Sequence, residues 1–590
     1  MPDDQRRSTE QLLEPLNFHL MRVIQFILLT IIPQYLFAQG SVIARIVDAM
    51  DGHPLPYATV LLLDTRIGTI TNIEGWFRLP LHGPTDSLQI SYIGYRTMRI
   101  PFIAVLDGSD IRMRRAIAQL PEAVIRPDGA DWYQRIVEAS SWLRRTPEVT
   151  TKLFFGLDSR IDTFPVETIH SYYNGTFKSG TLTSLVYKQG NIGIAQKGER
   201  HYVNFSTAYA LGLMDIHAMN SQFMRTPFAY STVKQLKADY RVEPIEIGEG
   251  PDAVDRLRAV PRDSTADLFL MEVTLVHSRS QVLSFELNCV NCSRHPFVSL
   301  FPQGWIDGID LRYRQTWSSV APFVPEVLEL DLLTTYCDNS FEDQFETKAL
   351  MYTFDKGNPF IPTLFRWEPV FEDYRKIAWL PMDSAFMHRM RPPLPTARQL
   401  RDHAFIAEHN ISNDPWYTQA TKQYDLLKPV HVAWSSAKRI TRHNLLGKAR
   451  RRSGAPPPMY DVDLAFQLYL DLDTTNGDLL HRSVAVFDAT RSYHEPKPQV
   501  WINSFLNIAF DLVEIERRRM EVKLNEPGMT VGRARTIHEE HSRRMRDAIK
   551  RYLLSTKKGF DISLLVDWNE LVKKELGLDN LKVGEWDQGR

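Results

Sequence analysis

Paired histidines, paired carboxylates and a short cysteine pair are the residues of this sequence whose types and spacing could do chemistry. His538 and His541 lie three apart in His-Glu-Glu-His, so a helix puts both imidazoles on one face, where a third ligand from elsewhere could complete a metal site. Arg533, Arg535, Arg543, Arg544 and Arg546 crowd the same stretch, and such a density of cations disfavours a dication. Glu539 and Glu540 then read as ion-pair partners, and His538 and His541 stay weak candidates. Asp511, Glu514, Arg518 and Glu521 follow one helical face; a buried carboxylate pair there could do acid–base work, whereas a solvated ladder of ion pairs is the plainer reading. Cys289-Val290-Asn291-Cys292 has the spacing of half a zinc site or a redox pair, but no second pair accompanies it. In an oxidising compartment a local disulfide between Cys289 and Cys292 is the simpler expectation, with Cys337 as another possible partner.

Other short patterns are incomplete. Ser435-x-x-Lys438 and Ser555-x-x-Lys558 match the spacing of penicillin-recognising enzymes without their companion motifs, and neither a nucleophile elbow nor a phosphate-binding loop occurs. Lys438, Arg439, Arg442, Lys448, Arg450, Arg451 and Arg452 form a basic cluster beside a proline-rich loop, which makes Arg450, Arg451 and Arg452 an anion-binding candidate. No catalytic residue is assignable, and no cofactor is implied.

The elements that must position these residues follow from length and pattern. At 590 residues the chain is too long for one core, and 70 Lys and Arg against 71 Asp and Glu give no net field to draw in nucleic acid. A hydrophobic fraction of 43% with mean hydropathy of -0.28 fits globular domains. The run from Val23 to Phe37, with Arg22 before it and Ala38-Gln39 after it, reads as an export signal, too short and too broken by Pro33 to span a membrane. Translation is expected to start at Met21 and the mature chain near Gln39, with no cysteine there to carry a lipid anchor and no later transmembrane helix.

Residues 41 to about 115 alternate apolar runs with turns at Asp51-Gly52 and Glu74-Gly75, the pattern of an antiparallel sandwich. Trp132, Ile136, Val137, Ala139 and Trp142 have helical spacing, and alternating segments such as Asp310-Leu311-Arg312-Tyr313-Arg314 fill residues 151 to 380. After Pro392-Pro393-Leu394-Pro395 the pattern turns helical over Trp501 to Leu524, Thr530 to Leu554 and Asp561 to Glu575. The expected fold is multidomain α+β: signal peptide 1–38, β-sandwich 40–118, linker and helix 119–150, a large antiparallel β-rich domain 151–390 and a mainly helical region 391–590.

The string Ile46-Val47-Asp48, Asp51-Gly52, Pro54-Leu55-Pro56-Tyr57-Ala58-Thr59-Val60, Gly68-Thr69-Ile70-Thr71-Asn72, Gly75-Trp76-Phe77 and Ser91-Tyr92-Ile93-Gly94-Tyr95 closely resembles the carboxypeptidase-regulatory-like domain. The resemblance implies a transthyretin-like seven-stranded sandwich found at the front of Gram-negative envelope proteins and not itself catalytic. It also prompts a search for carboxypeptidase zinc ligands, yet His-x-x-Glu occurs nowhere in the chain.

These readings favour an exported, non-enzymatic protein of the periplasm or outer membrane, an accessory in transport or assembly. Its expected partner is an envelope protein or a surface glycan. One alternative is an envelope hydrolase with its site in 395–590, using Glu514 or the His538 and His541 pair. Another is a carbohydrate- or peptide-binding protein using Trp416, Tyr417 and Trp434.

Overall fold

Side chains alternate across a strand, so a run with every second residue apolar must find a sheet with one face in a core. The computed structural model describes residues 41–63, 68–80, 86–105, 107–116, 131–195, 211–248, 253–297, 304–317, 323–367, 373–379, 383–390, 392–410, 430–448, 461–475, 478–495 and 500–581. The export segment, Trp416, Tyr417 and Arg450 to Arg452 lie outside these residues. Two compact units result, 1–117 with 393–396 and 118–392 with 397–590.

The first unit holds strands β1 (Ser41–Asp48), β2 (Thr59–Leu62), β3 (Gly68–Ile70), β4 (Trp76–Pro80), β5 (Ser87–Ser91), β6 (Met98–Pro101) and β7 (Asp110–Met113). They form two sheets, ordered β4-β1-β7 and β3-β2-β5-β6. Ala44, Ile46, Val60, Phe77 and Ile90 are fully buried in its core. Asp48 is buried as well, and receives the Tyr95 hydroxyl at 2.6 Å, the Met50 amide at 2.7 Å and the Arg115 guanidinium. Burial opposes the charge of Asp48, but those donors, Tyr95 first, hold its carboxyl down at about 2. The Asp and Tyr of the motif are thus one contact across 47 positions.

In the second unit, a single fully antiparallel sheet takes ten strands in the order β10-β9-β8-β17-β16-β15-β14-β13-β12-β11. These are β8 (Val149–Ile161), β9 (Phe164–Lys178), β10 (Thr181–Ile194), β11 (Tyr240–Glu246), β12 (Val254–Pro261), β13 (Leu270–Val276), β14 (Val282–Cys289), β15 (Trp305–Trp317), β16 (Pro325–Asp338) and β17 (Phe341–Phe354). Two meanders, β8 to β10 and β11 to β17, join where the first strand of one pairs with the last strand of the other. On β15, Leu311 and Tyr313 point into the core, while Arg312 bridges Glu286 and Asp331 at 3.0 Å each on the wet face.

Helix α1 (Trp132–Arg144) covers the apolar face, capped by Asp131, which accepts from the Tyr133 and Gln134 amides. Its Ile136, Ala139 and Leu143 join Phe223 and Phe228 and the sheet's Phe285, Tyr313 and Trp317 in one core. Each aromatic fully buried there contributes roughly 1.5–3 kcal/mol relative to exposure.

The rest of the second unit comprises the short α2 (Val233–Asp239), α3 (Asp373–Trp379), α4 (Ser384–Met390) and α5 (Ala397–Glu408), then α6 (Ile502–Leu524), α7 (Val531–Ser555) and α8 (Val566–Leu576). Thr530 caps α7, Asp561 caps a short turn before α8, and Gly577 ends α8 with φ 73°. The C-terminal region is helical, but it differs from the expectation of a mainly helical domain of its own. Strands β18 (His431–Ala433), β19 (Val462–Thr475) and β20 (Asp478–His494) form a three-stranded sheet ordered β18-β20-β19. Leu464, Phe466, Leu468, Leu470 and Leu472 of β19 bury one face against α6 and α7, so sheet and helices share a single core.

Candidate functional site

Three stretches far apart in sequence line a cleft of about 860 Å³. The turn end of the β19–β20 hairpin supplies Asp471, Asp473, Asp478, His481 and Arg482; α4 and the residue before it supply Asp383, Phe386 and Arg389; the last turn of α6 and the connection to α7 supply Glu521, Asn525, Glu526 and Met529. The hairpin brings its residues together because β19 and β20 keep pairing to Thr475 and Asp478, so both ends project past the core.

Its floor is a buried ion pair. Lys188 of β10 reaches the Asp471 carboxylate and also donates to the carbonyls of Leu472 at 2.7 Å and Ile361 at 2.9 Å. All three ammonium protons are therefore placed, which is the condition for tolerating a buried lysine. Gln189 donates to the second Asp471 oxygen at 2.9 Å and to the Tyr469 hydroxyl at 3.0 Å. Burial pushes the Asp471 carboxyl up, and Lys188 opposes that shift. This network pins the edge of the large sheet to the C-terminal sheet, and the pairs of Arg160 with Asp402 and Asp158 with His403 add further links between residues 118–392 and 397–590 of the same unit.

Around the floor, Arg389 donates to Asp473 at 3.2 Å, Arg517 reaches in to Glu521 at 2.7 Å, Arg533 pairs with Glu526, and His481 Nε2 meets the Asn525 oxygen at 3.1 Å. His481 Nδ1 and Arg389 Nε are buried atoms with no hydrogen-bond partner among the described residues. Asp471, Asp473, Glu521 and Glu526 are neutralised by these pairs, so among the described residues Asp383 and Asp478 are the lining carboxylates left outside the ion pairs, and they give the cleft its affinity for a cationic group.

Of the residues singled out from sequence, Glu521 lines the cleft, whereas those described next sit elsewhere and are committed to neighbours. His538 Nε2 donates to the Leu468 carbonyl at 2.8 Å, whereas His541 Nδ1 contacts buried Glu516 at 2.7 Å, so the two rings serve different partners. Among the described residues, no group of three or more His, Cys, Asp or Glu is arranged to hold a metal ion. Glu514 is clamped by Arg517 at 2.7 and 2.9 Å and by Arg518 at 2.9 Å; the pairing with Arg518 follows the spacing, but Glu514 is buried and the ladder expected to be solvated there is not, because the sheet and neighbouring helices cover that face. Asp511 leaves that ladder: it is fully buried and accepts from Trp434 at 2.7 Å, Arg439 at 2.6 Å and Asn580 at 2.7 Å. Arg439 of the basic cluster and Trp434 of the aromatic set are thus structural. Ser435 accepts the Lys438 amide in a turn, and Ser555 accepts the Trp568 indole. Cys289 and Cys292 are joined by a disulfide with Cα atoms 5.6 Å apart, and Cys337 is buried as a free thiol.

One cluster has no local signature at all. Asp158 accepts from His403 at 2.8 Å, Thr168 at 3.0 Å and Gln399 at 2.8 Å, and the His403 ring packs edge-on to His170 at 4.9 Å. Burial drives the His170 imidazole down to about 4. The 245 positions between Asp158 and His403 put this group beyond any spacing rule. The cleft was equally hidden, since it spans residues 383 to 529.

Residues 44–125 match the CarboxypepD_reg-like domain, the segment that the first unit's strands occupy. No curated protein matches the sequence. Among solved structures, a protein of unknown function from Bacteroides fragilis is similar at 9% identity over 54% of this chain and 98% of its own, with a TM-score of 0.10. MucB is similar at 10% identity over 38% of this chain and 92% of its own, with a TM-score of 0.14. Scores this low carry no structural argument.

Proposed function

We propose that the protein is an exported, non-enzymatic envelope component that binds a basic segment of a partner protein in the cleft beside the β19–β20 hairpin. The observation that carries this reading is the cleft itself: about 860 Å³, with Asp383 and Asp478 outside the ion pairs and with His481 Nδ1 and Arg389 Nε lacking hydrogen-bond partners among the described residues. Asp383 and Asp478 pair with lysine or arginine of the guest, the Arg389 Nε–H donates to a backbone carbonyl of the guest, and His481 Nδ1, whose ring donates from Nε2 to Asn525, accepts a backbone N–H. The export signal expected over residues 22 to 39 and the sandwich module support an envelope location. Asp511, Glu514 and Glu516 of α6 and His541 of α7 are held by neighbouring side chains, which supports binding over hydrolysis.

A photo-crosslinking residue at Met529 in the full chain, expressed in its native host, tests the reading. The expected result is an adduct with an envelope protein from a chain whose mature start lies near Gln39, and loss of that adduct in Asp478→Lys. A cytoplasmic, uncut chain, or an adduct indifferent to Asp478→Lys, overturns it.

A further inference from the structure

The end of α7 and the start of α8 leave apolar side chains in water directly above a well-filled core. Val500 is 88% exposed, Leu554 68%, Val566 44%, Ile562 37% and Phe560 36%. Hydrogen bonds gather these positions into one tip. Trp501, next to Val500, donates to the Gly559 carbonyl at 2.8 Å, and Trp568 donates to the Ser555 hydroxyl at 2.8 Å. Tyr552 packs beneath, its ring 5.3 Å from Phe505 and 5.6 Å from Trp568. Single exposed apolar residues are ordinary, whereas a contiguous group marks a contact surface.

Charge tells what the surface contacts. Between Lys550 and Asp567 the chain carries Lys550, Arg551, Lys557 and Lys558 against Asp561 and Asp567, and Lys550, Arg551 and Lys557 are exposed. Lys557 and Lys558 also adopt φ of 48° and 59°, followed by Gly559 at 84°, a run of left-handed backbone that non-glycine residues enter at a cost. Apolar side chains ringed by a surplus of cations suit an anionic lipid surface: the former enter the headgroup boundary and the latter meet its phosphates. No described helix is long and apolar enough to cross a membrane. We propose that this tip rests the protein on an anionic membrane surface, independently of what the cleft binds.

Vesicle flotation of the full chain tests it, with phosphatidylglycerol–phosphatidylcholine vesicles set against phosphatidylcholine alone. The expected result is binding to the anionic vesicles only, weakened about fivefold for each cation removed in Arg551→Gln and Lys557→Gln. Val500→Asp with Leu554→Asp abolishes it, while thermal melting stays at the parent value, because these side chains stand in water. No flotation with anionic vesicles, or flotation that survives both sets of substitutions, overturns the proposal. So does a self-association of the chain that the Val500→Asp, Leu554→Asp variant removes, since the tip would then be an interface between copies.

Discussion

Both units bury a carboxylate at their centre, but they reach its donors by different routes. In the small sandwich, Asp48 meets Tyr95 and Arg115 at the ends of short strands, all within one stretch of about 75 residues that the motif announces. In the larger unit, Asp511 is met by Trp434, Arg439 and Asn580, and Asp471 by a lysine 283 positions away. The small unit is specified by local turns with one polar hub. The large one depends on long-range polar pairs that must find each other after the sheet and helices have formed, and this concentrates its vulnerability in those pairs.

The largest test of that contrast is Asp511→Ala. Removing the acid leaves Arg439 buried without its counter-charge, and loss of one partner of a buried pair costs about 3–5 kcal/mol. Urea unfolding of the full chain should show this loss in the second unit, with the first unit's transition unmoved. A loss shared by both would break the contrast.

A smaller effect is expected from Gly75→Ala, the reverse experiment. Gly75 has φ 81°, and an added Cβ would stand 2.6 Å from the Ile46 carbonyl oxygen, so strain of about 1–3 kcal/mol falls on the first unit alone. Gly94, also at positive φ, has nothing within 4 Å of a Cβ, and its alanine variant should cost less. Equal losses at the two positions would remove the role of the close approach.

Mild acid should separate the units most gently. His170 is held near 4 and His431 is also depressed, both by burial first, so below the ordinary histidine value of 6.5 the unfolded chain takes up protons that the folded one refuses. The second unit's contribution from these groups is complete above that value and declines as pH falls towards 4. Asp48, lowered from 3.8 to about 2, keeps its contribution to the first unit above 3.8 and loses it between 3.8 and 2. Pulsed amide labelling at a common pH, after urea equilibration at pH 7, 5 and 3, reads each unit separately. Loss of the first unit before the second on acidification would contradict these shifts.

Legibility followed the same divide. Alternation over residues 151 to 380 exposed many strands of the large sheet, and apolar spacing exposed α1, α6, α7 and α8. Within β9, His170, Asn174 and Gly175 interrupt the period, and a residue such as Lys188 in mid-strand gives no local hint that it will be buried. The alternation of Leu464, Phe466, Leu468, Leu470 and Leu472 was present in the sequence, but long helical segments follow it closely and drew the region's assignment. Outside the cleft, the Glu514 pair with Arg518 was legible from i, i+4 spacing. The cleft was not, since its residues belong to elements with no shared period.

The sequence by itself determined the sandwich with its Asp48 and Tyr95 motif, the apolar faces of strands and helices, and the pairing of charges along α6. These depend on interactions within a few residues or a known turn pattern, where backbone geometry alone fixes who meets whom. Only the tertiary structure decided that the large sheet is one sheet, that Lys188 and Asp471 lock it to a second one, and that Asp383, Asp478 and Glu526 face a common cleft. Those outcomes rest on which apolar faces pack together, and pairs brought close by packing are separated along the chain by distances that no local pattern encodes.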